Sequence, residues 1–375
     1  MGVIPPPRGR SETEHYKIKV EVLAEGLDRP WGIEFLDERT ALFSELGGQL
    51  RLMIDGKVLP APITGLTEPP SAVSKLWNQI GFLDVALHPR YKENGWIYLS
   101  YVHEGGNLPT VEGKQACSTR IIRGRIRNHA WIDEEVIYDP RPEDYTSIAG
   151  HFGGRMVFDE EENLHFSIGD RQRMLNAQNL SRPEGKFHRL HDDGRPVADN
   201  PYNALESEGV LTSVFAYGSR NAQGMAIHPE TREMWAAEHG PMGGDEINVI
   251  EAGANYGWPI VTKGLDLDGS VQTPYKSLPG MVDPIHYWDP SPGICGIEFV
   301  DSPLFPAWKN NLLVATLKHQ LIYRLVLDGH KVVKEEVILR ESGRIRDIKT
   351  APDGSLYVLT DRRGMILRLT PEIDE

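Results

Sequence analysis

The segment Gly150-His151-Phe152-Gly153-Gly154-Arg155 puts a histidine at the mouth of a short apolar stretch, and the run that follows closes at Gly169-Asp170-Arg171. Met156-Val157-Phe158 and Leu164-His165-Phe166-Ser167-Ile168 read as two antiparallel strands around the acidic turn Asp159-Glu160-Glu161-Glu162-Asn163. Such a hairpin returns Asp170 to the end where His151 started. A carboxylate beside an imidazole fixes its tautomer and stabilises the imidazolium, so the pair has the chemistry of a general base. With 13 histidines in the chain, a His–Asp pair on its own also arises by chance.

Two further groups of residues could carry chemistry. The first is cationic: Arg220 and Asn221 within Ala216-Tyr217-Gly218-Ser219-Arg220-Asn221-Ala222-Gln223-Gly224, Lys318 at the end of Val314-Ala315-Thr316-Leu317, and Arg344 and Arg346 within Gly343-Arg344-Ile345-Arg346-Asp347. On converging loops these would hold a polyanion, with bidentate arginine forks and a lysine point charge; the alternative is ordinary surface charge. The second group is Glu238-His239-Gly240-Pro241-Met242-Gly243-Gly244-Asp245-Glu246, continuing to Asn255-Tyr256-Gly257-Trp258-Pro259. Tight backbone carbonyls beside carboxylates are hard oxygen donors of the kind Ca²⁺ takes. Asp266-Leu267-Asp268-Gly269 reads instead as an Asp-Gly turn. No dinucleotide-binding GxGxxG, phosphate-binding GxxxxGK[ST], GxSxG elbow or HExxH helix is present, and His103-Glu104-Gly105-Gly106-Asn107 lacks a second histidine.

The elements that must position these residues recur along the chain. Each copy is a short apolar strand, a turn rich in Pro, Gly, Asp or Glu, and a second apolar strand. The copies start at Trp31-Gly32-Ile33-Glu34-Phe35, Leu83-Asp84-Val85-Ala86-Leu87, the His151 stretch, Gly224-Met225-Ala226-Ile227, Cys295-Gly296-Ile297-Glu298-Phe299 and Arg346-Asp347-Ile348-Lys349. Several continue into a third strand, as in Gln49-Leu50-Arg51-Leu52, Leu321-Ile322-Tyr323-Arg324-Leu325 and Ile366-Leu367-Arg368-Leu369. Six copies at roughly 50- to 70-residue spacing predict an all-β, six-bladed β-propeller, in preference to a sandwich of unrelated hairpins. Helix should be scarce, because no long segment has a 3.6-residue apolar period. Residues just before each innermost strand then converge at one end of a central channel: Gln79, His151, Arg220-Asn221, Cys295 and Arg344. Residues 1–15, Pro-rich and then charged, read as a flexible arm, with residues 16–375 as one propeller domain.

Composition narrows the partners. The 375-residue chain carries a net charge of −14, which argues against nucleic acid or an anionic membrane surface. No apolar run is long enough to span a bilayer, and MGVIPPPRGRSETEH lacks the apolar core of a signal peptide. Cys117 and Cys295 make no disulfide framework or metal motif and read as two buried small side chains.

The strings HFGGR…GDR, YGSRNAQG, EHGPMGGDEIN, NYGWP, Thr316-Leu317-Lys318 and RIRD…DGSLYVLTD occur in this order between about Leu27 and Leu369. Together they resemble the soluble pyrroloquinoline-quinone (PQQ) dependent glucose and aldose sugar dehydrogenases, the sorbosone dehydrogenase-like propellers. The resemblance implies a six-bladed propeller, PQQ and Ca²⁺ as cofactors, and oxidation of an aldose at its anomeric carbon to the lactone. It implies that His151 is the general base, oriented by Asp170, and that Arg220 and Asn221 contact the quinone oxygens. Gln79, Lys318, Arg344 and Arg346 would complete the cofactor-binding set. The carbonyls of Gly240 and Pro241 would bind the Ca²⁺ that also meets PQQ, and Glu246 and Tyr256 a separate structural Ca²⁺. A periplasmic or secreted setting and an electron acceptor not identified by the sequence follow from the same resemblance, while monomer and homodimer both stay open. Ser219, Ala222, Met242, Gln172 and Met174 depart from the family's usual residues, and they fall in loops that would border the channel mouth. The rival readings are a Ca²⁺-dependent, lactonase-like hydrolytic propeller without a redox cofactor, and a non-catalytic binding propeller.

Overall fold

The computed structural model describes residues 9–66, 79–105, 116–148, 150–340 and 342–372. Its strands form six antiparallel sheets. Blade 1 is Pro30–Phe35, Thr40–Glu45, Gln49–Ile54 and Lys57–Val58, and blade 2 is Phe82–Leu87, Ile97–Glu104, Cys117–Arg127 and Ala130–Tyr138. Blade 3 is Met156–Phe158, Leu164–Ile168, Lys186–Leu190 and Val214–Tyr217; blade 4 is Ala222–Ile227, Met234–Glu238, Asp245–Val249 and His286–Trp288. Blade 5 is Ile294–Phe299, Leu312–Thr316, Ile322–Asp328 and Lys331–Leu339. Blade 6 runs Ile345–Thr350, Leu356–Thr360 and Met365–Pro371, and then takes Lys17–Ala24 from the other end of the chain. The first strands of successive blades touch in a closed ring, that of blade 6 meeting that of blade 1. The chain is thus the six-bladed propeller its repeats predict.

The sequence makes blades because each sheet is apolar on both faces. In Leu312–Thr316 every residue is buried. Leu313 and Ala315 pack into the core between blades 5 and 6, while Leu312 and Val314 pack into the core between blades 4 and 5. This is the two-residue alternation of a strand serving two interfaces. A cluster of this kind fills every gap between neighbouring blades.

Closure comes from antiparallel pairing of the two chain ends, with Ile18 opposite Pro371 and Val20 opposite Leu369. The expected arm at 1–15 is corrected over residues 9–15, and its residues 1–8 lie outside the described residues. Gly9–Glu12 pairs with Lys17–Val20 as a fifth, outermost strand of blade 6. Ser11 Oγ donates to the Ile338 carbonyl at 2.7 Å, and the Glu14 carboxylate meets Arg324 at 2.9 Å and Lys334 at 2.7 Å. An edge strand held by backbone pairing and ion pairs needs no apolar alternation, so composition alone reads it as an arm. Helix is as scarce as expected, with one four-residue turn at Tyr91–Asn94 and short 3₁₀ segments among the described residues. No helix among them is long and apolar enough to cross a membrane.

Inside the ring, Arg155 reaches across the channel to Asp84 of blade 2 at 2.8 Å and Asp347 of blade 6 at 3.1 Å. Cavities of 370 and 310 Å³ lie in the channel, the first lined by His151 and the second by Glu34, Glu298 and Lys349.

Candidate active site

The 370 Å³ cavity is built from loops entering the first strands and leaving the second strands of the blades. His151 precedes the first strand of blade 3, and Asp170 follows its second strand. The hairpin Met156–Phe158 with Leu164–Ile168 forms as expected. It brings Asp170 Oδ1 to 2.6 Å from His151 Nδ1. Close backbone approach makes this return possible: a Cβ on Gly169 would lie 2.3 Å from the His151 carbonyl oxygen. Gly153 has φ of 62°, and a Cβ there would meet the Ser167 carbonyl at 2.7 Å.

Asp170 is buried, and both its oxygens are occupied. Oδ1 also accepts the Gln172 N–H at 2.8 Å, and Oδ2 accepts the Trp258 indole N–H at 2.8 Å. Burial pushes its carboxyl up, but the hydrogen bond and charge of His151, with Arg220 beyond, outweigh this and hold it below the usual carboxylate range. An ionised Asp170 can only accept, so the proton between the two residues sits on His151 Nδ1 and the Nε2 lone pair is left on the opposite edge of the ring. Burial lowers the imidazole below the ordinary histidine value, and Arg220 and Arg171 lower it further against the pull of Asp170. At neutral pH the ring is therefore an uncharged base.

Around it the cavity wall gathers Gln79, Arg220, Asn221, Gly240, Pro241, Arg344 and Arg346. Gln79 Oε1 accepts the His151 backbone N–H at 3.1 Å, and Asn221 Oδ1 accepts that of Gly153 at 3.1 Å. Arg220 donates to the His239 carbonyl at 3.1 Å and lies over the Trp258 ring at 5.5 Å. Asp361 holds Arg344 at 3.3 Å and Arg346 at 3.6 Å. The Gly240–Pro241 turn is pinned by Asp245, which accepts the Gly240 N–H at 2.9 Å while binding Gly293 and Ile294 of blade 5.

Some expected positions fall elsewhere. Cys295 lies inside the first strand of blade 5, fully buried beneath the cavity, with its sulfur 3.2 Å from Arg346. The strand starts one residue earlier than its pattern suggests, which moves the thiol from the mouth into the wall. Both cysteines are free. Lys318 is exposed beside the rim, its backbone N–H on the Pro292 carbonyl, and Leu317 takes the lining position. Glu246 is buried opposite Glu238 in the strand pair, and burial together with Glu238 raises its carboxyl well above the ordinary range. Tyr256 commits its hydroxyl, donating to the Val249 carbonyl at 2.6 Å and accepting the Glu251 N–H at 2.8 Å, so only its carbonyl remains to face a cation. Among the described residues, no cluster of three or more His, Cys, Asp or Glu side chains is disposed to hold a metal.

Sequence reasoning missed Arg29, Trp31, Gln223, His239, Asp361 and Arg362, which also line the cavity. Arg29 was within reach of the same rule, since it precedes the first strand of blade 1. Trp31 and Gln223 lie within the first strands of blades 1 and 4, and His239, Asp361 and Arg362 needed the loops leaving the second strands to be counted too. His239, between Arg220 and Arg346, is pushed down to about 4 by burial, so it is neutral.

A six-bladed propeller with a His–Asp pair on the wall of an arginine-lined channel cavity defines the class. The sequence model of the Glucose / Sorbosone dehydrogenase family matches residues 27–368, and the chain belongs to that family. It is 37% identical to the aldose sugar dehydrogenase YliI of Escherichia coli K12 over 94% of this chain and 93% of that one. It is 27% identical to quinoprotein glucose dehydrogenase B of Acinetobacter calcoaceticus, over 79% of this chain and 76% of that one. Its fold superposes on the crystal structure of the soluble aldose sugar dehydrogenase from Escherichia coli in the apo form with a TM-score of 0.86, at 37% identity, covering 95% of this chain and 100% of the other.

Proposed function

We propose that this protein is a PQQ- and Ca²⁺-dependent sugar dehydrogenase that oxidises the anomeric C1 hydroxyl of aldoses to the lactone. The observation that carries this reading is the uncharged His151 imidazole, hydrogen-bonded to an ionised Asp170, opening onto a cavity lined by Arg29, Arg220, Arg344, Arg346 and Arg362. Among these lining residues Asp361 is the one carboxylate, so the wall is strongly positive in a chain of net charge −14. A compact polycarboxylate such as PQQ matches that wall. When bound, PQQ supplies a two-electron acceptor for the hydride lost from C1, and Ca²⁺ supplies a Lewis acid beside it.

The protein's own part is acid–base and positional. Nε2 of His151 takes the proton of the C1 hydroxyl, and Asp170 stabilises the imidazolium that forms. Arg220 and Asn221 orient the acceptor oxygens, Gln79 braces the His151 backbone, and Arg344 and Arg346 hold carboxylates. Lys318 would reach an anion from the rim. The carbonyls of Gly240 and Pro241 would ligate the cofactor's Ca²⁺. The buried carboxylates of Glu246 and Glu238 on one sheet face, with the Tyr256 carbonyl, suit a second, structural Ca²⁺, because a cation relieves their mutual repulsion.

Titration of metal-stripped protein with PQQ and Ca²⁺, then addition of glucose and a dye acceptor, tests the proposal. Saturable, Ca²⁺-dependent PQQ binding with sugar-dependent dye reduction is the expected result. No PQQ binding, with chelator-sensitive lactone hydrolysis instead, would replace this reading by a hydrolytic one.

A further inference from the structure

We propose that Trp258 is a positioning residue for the His151–Asp170 pair: its indole N–H anchors Asp170 Oδ2, which keeps Oδ1 on His151 Nδ1 and the Nε2 edge turned to the cavity. The inference rests on the functional reading above and adds to it a residue from another blade. Asp170 belongs to blade 3, whereas Trp258 lies in the long connection between the last two strands of blade 4.

The indole N–H meets Oδ2 at 2.8 Å, and Trp258 is itself held from three sides. Its backbone N–H donates to the Gly218 carbonyl at 2.9 Å, and its own carbonyl accepts the Gln178 side-chain N–H at 2.7 Å. Gln178 is in turn bonded through both ends of its amide to Asn255, at 2.8 and 3.0 Å. The ring is buried and carries the Arg220 guanidinium over its face at 5.5 Å. One side chain therefore touches both the carboxylate that orients the base and the cation beside it.

Burial of a tryptophan does not by itself produce such a contact. The indole nitrogens of Trp131, Trp235 and Trp308 are buried without a hydrogen-bond partner. At Trp258 the donor is aimed at the one oxygen of Asp170 that His151 does not use. His151 and the Gln172 N–H both meet Oδ1; a carboxylate held at one oxygen only is free to tilt about its Cβ–Cγ bond, and one held at both oxygens is not. The charged and titratable groups that face His151 are Asp170, Arg220, Arg171 and His239. Among these, Asp170 is the one that hydrogen-bonds the ring, so its orientation sets the tautomer.

The test is Trp258→Phe, which keeps an aromatic ring under Arg220 and removes the donor. In ¹⁵N-labelled protein without cofactor, the His151 Nδ1–H resonance, assigned by its loss in His151→Gln, should be sharp and protected in the wild type. It should be broadened or lost to exchange with water in Trp258→Phe, at an unchanged far-ultraviolet dichroism spectrum. In the reconstituted enzyme kcat should fall roughly 10- to 100-fold with KM little changed, the range expected for one hydrogen bond to a buried charge. The same substitution in an Asp170→Asn background should cost nothing further. If Trp258→Phe does not fold, benzothienylalanine placed at position 258 keeps the bicyclic shape with sulfur in place of N–H. An intact Nδ1–H signal in either variant, or a full additional loss on top of Asp170→Asn, would overturn the proposal. The signal is read without cofactor or sugar, so a wild type that failed to oxidise sugars would overturn the functional reading while this inference is still decided.

Discussion

His151 adopts φ of 54°, a left-handed conformation uncommon outside glycine, between Gly150 and Gly153. That backbone turn aims Nδ1 at Asp170 while the peptide N–H is taken up by Gln79. Burial holds the ring below the ordinary histidine value, with Arg220 and Arg171 acting in the same direction. The sign of the pH dependence follows. A base must be unprotonated to act, so kcat/KM should rise with pH through the His151 pKa, and the acid limb should lie below about 6.5. A limb centred well above that value would show that another group is the base. His151→Gln should bind PQQ as the wild type does and lose roughly 10²–10⁴-fold in turnover. Turnover near the wild-type rate would exclude His151 from the chemistry.

At the scale of elements, the division of labour runs along the blades. Blade 3 supplies His151 and Asp170; blade 4 supplies Arg220, Asn221 and the Gly240–Pro241 turn; blade 6 supplies Arg344 and Arg346. The blade 6 arginines do not touch His151 or Asp170 in the hydrogen-bond network, but share Asp361 with each other. Arg344→Ala combined with Arg346→Ala should therefore weaken PQQ binding by at least tenfold for each lost charge-assisted contact. Turnover at saturating PQQ should change far less, as titration followed by steady-state kinetics would show. Unchanged PQQ affinity would remove these two from the cofactor cradle. Arg346 also donates to Gln223 at 2.7 Å, so it braces blade 4 from blade 6 across the channel.

For the whole molecule, the ring is only as stable as its closure. Lys17–Ala24 completes blade 6 by pairing with Met365–Pro371, and Ile18 and Val20 enter the core shared with blade 5. Gly9–Glu12 adds an outer strand secured by Ser11, with the Glu14 ion pairs just beyond it. Deleting residues 1–12 should leave a folded enzyme with a modestly lower Tm. Deleting through Ala24 should expose the edge of Met365–Pro371 and uncover apolar core, giving aggregates instead of the assembly the full chain forms. Calorimetry and size-exclusion chromatography distinguish the two. A stable protein lacking residues 1–24 that elutes like the full chain would show that the ring does not depend on this seam.

The number of blades, their two-strand cores and the His151–Asp170 return were legible in the sequence because all are local. Strand alternation, Pro/Gly/Asp turns and hairpin pairing act over a few residues, so residue order alone determined them. The convergence of Arg220, Arg344 and Arg346 was legible only through the repeat, which assigns equivalent positions to distant segments. Tertiary structure decided the rest. Only the ring shows that Cys295 sits in the wall and that Lys318 stands at the rim. Nothing in the sequence ties Trp258 to Asp170 or Glu14 to Arg324, because those contacts join different blades or distant parts of the chain, and their geometry is set by how the sheets pack. Local chemistry thus wrote the blades and one half of the site, and the closing of the circle brought the other half to it.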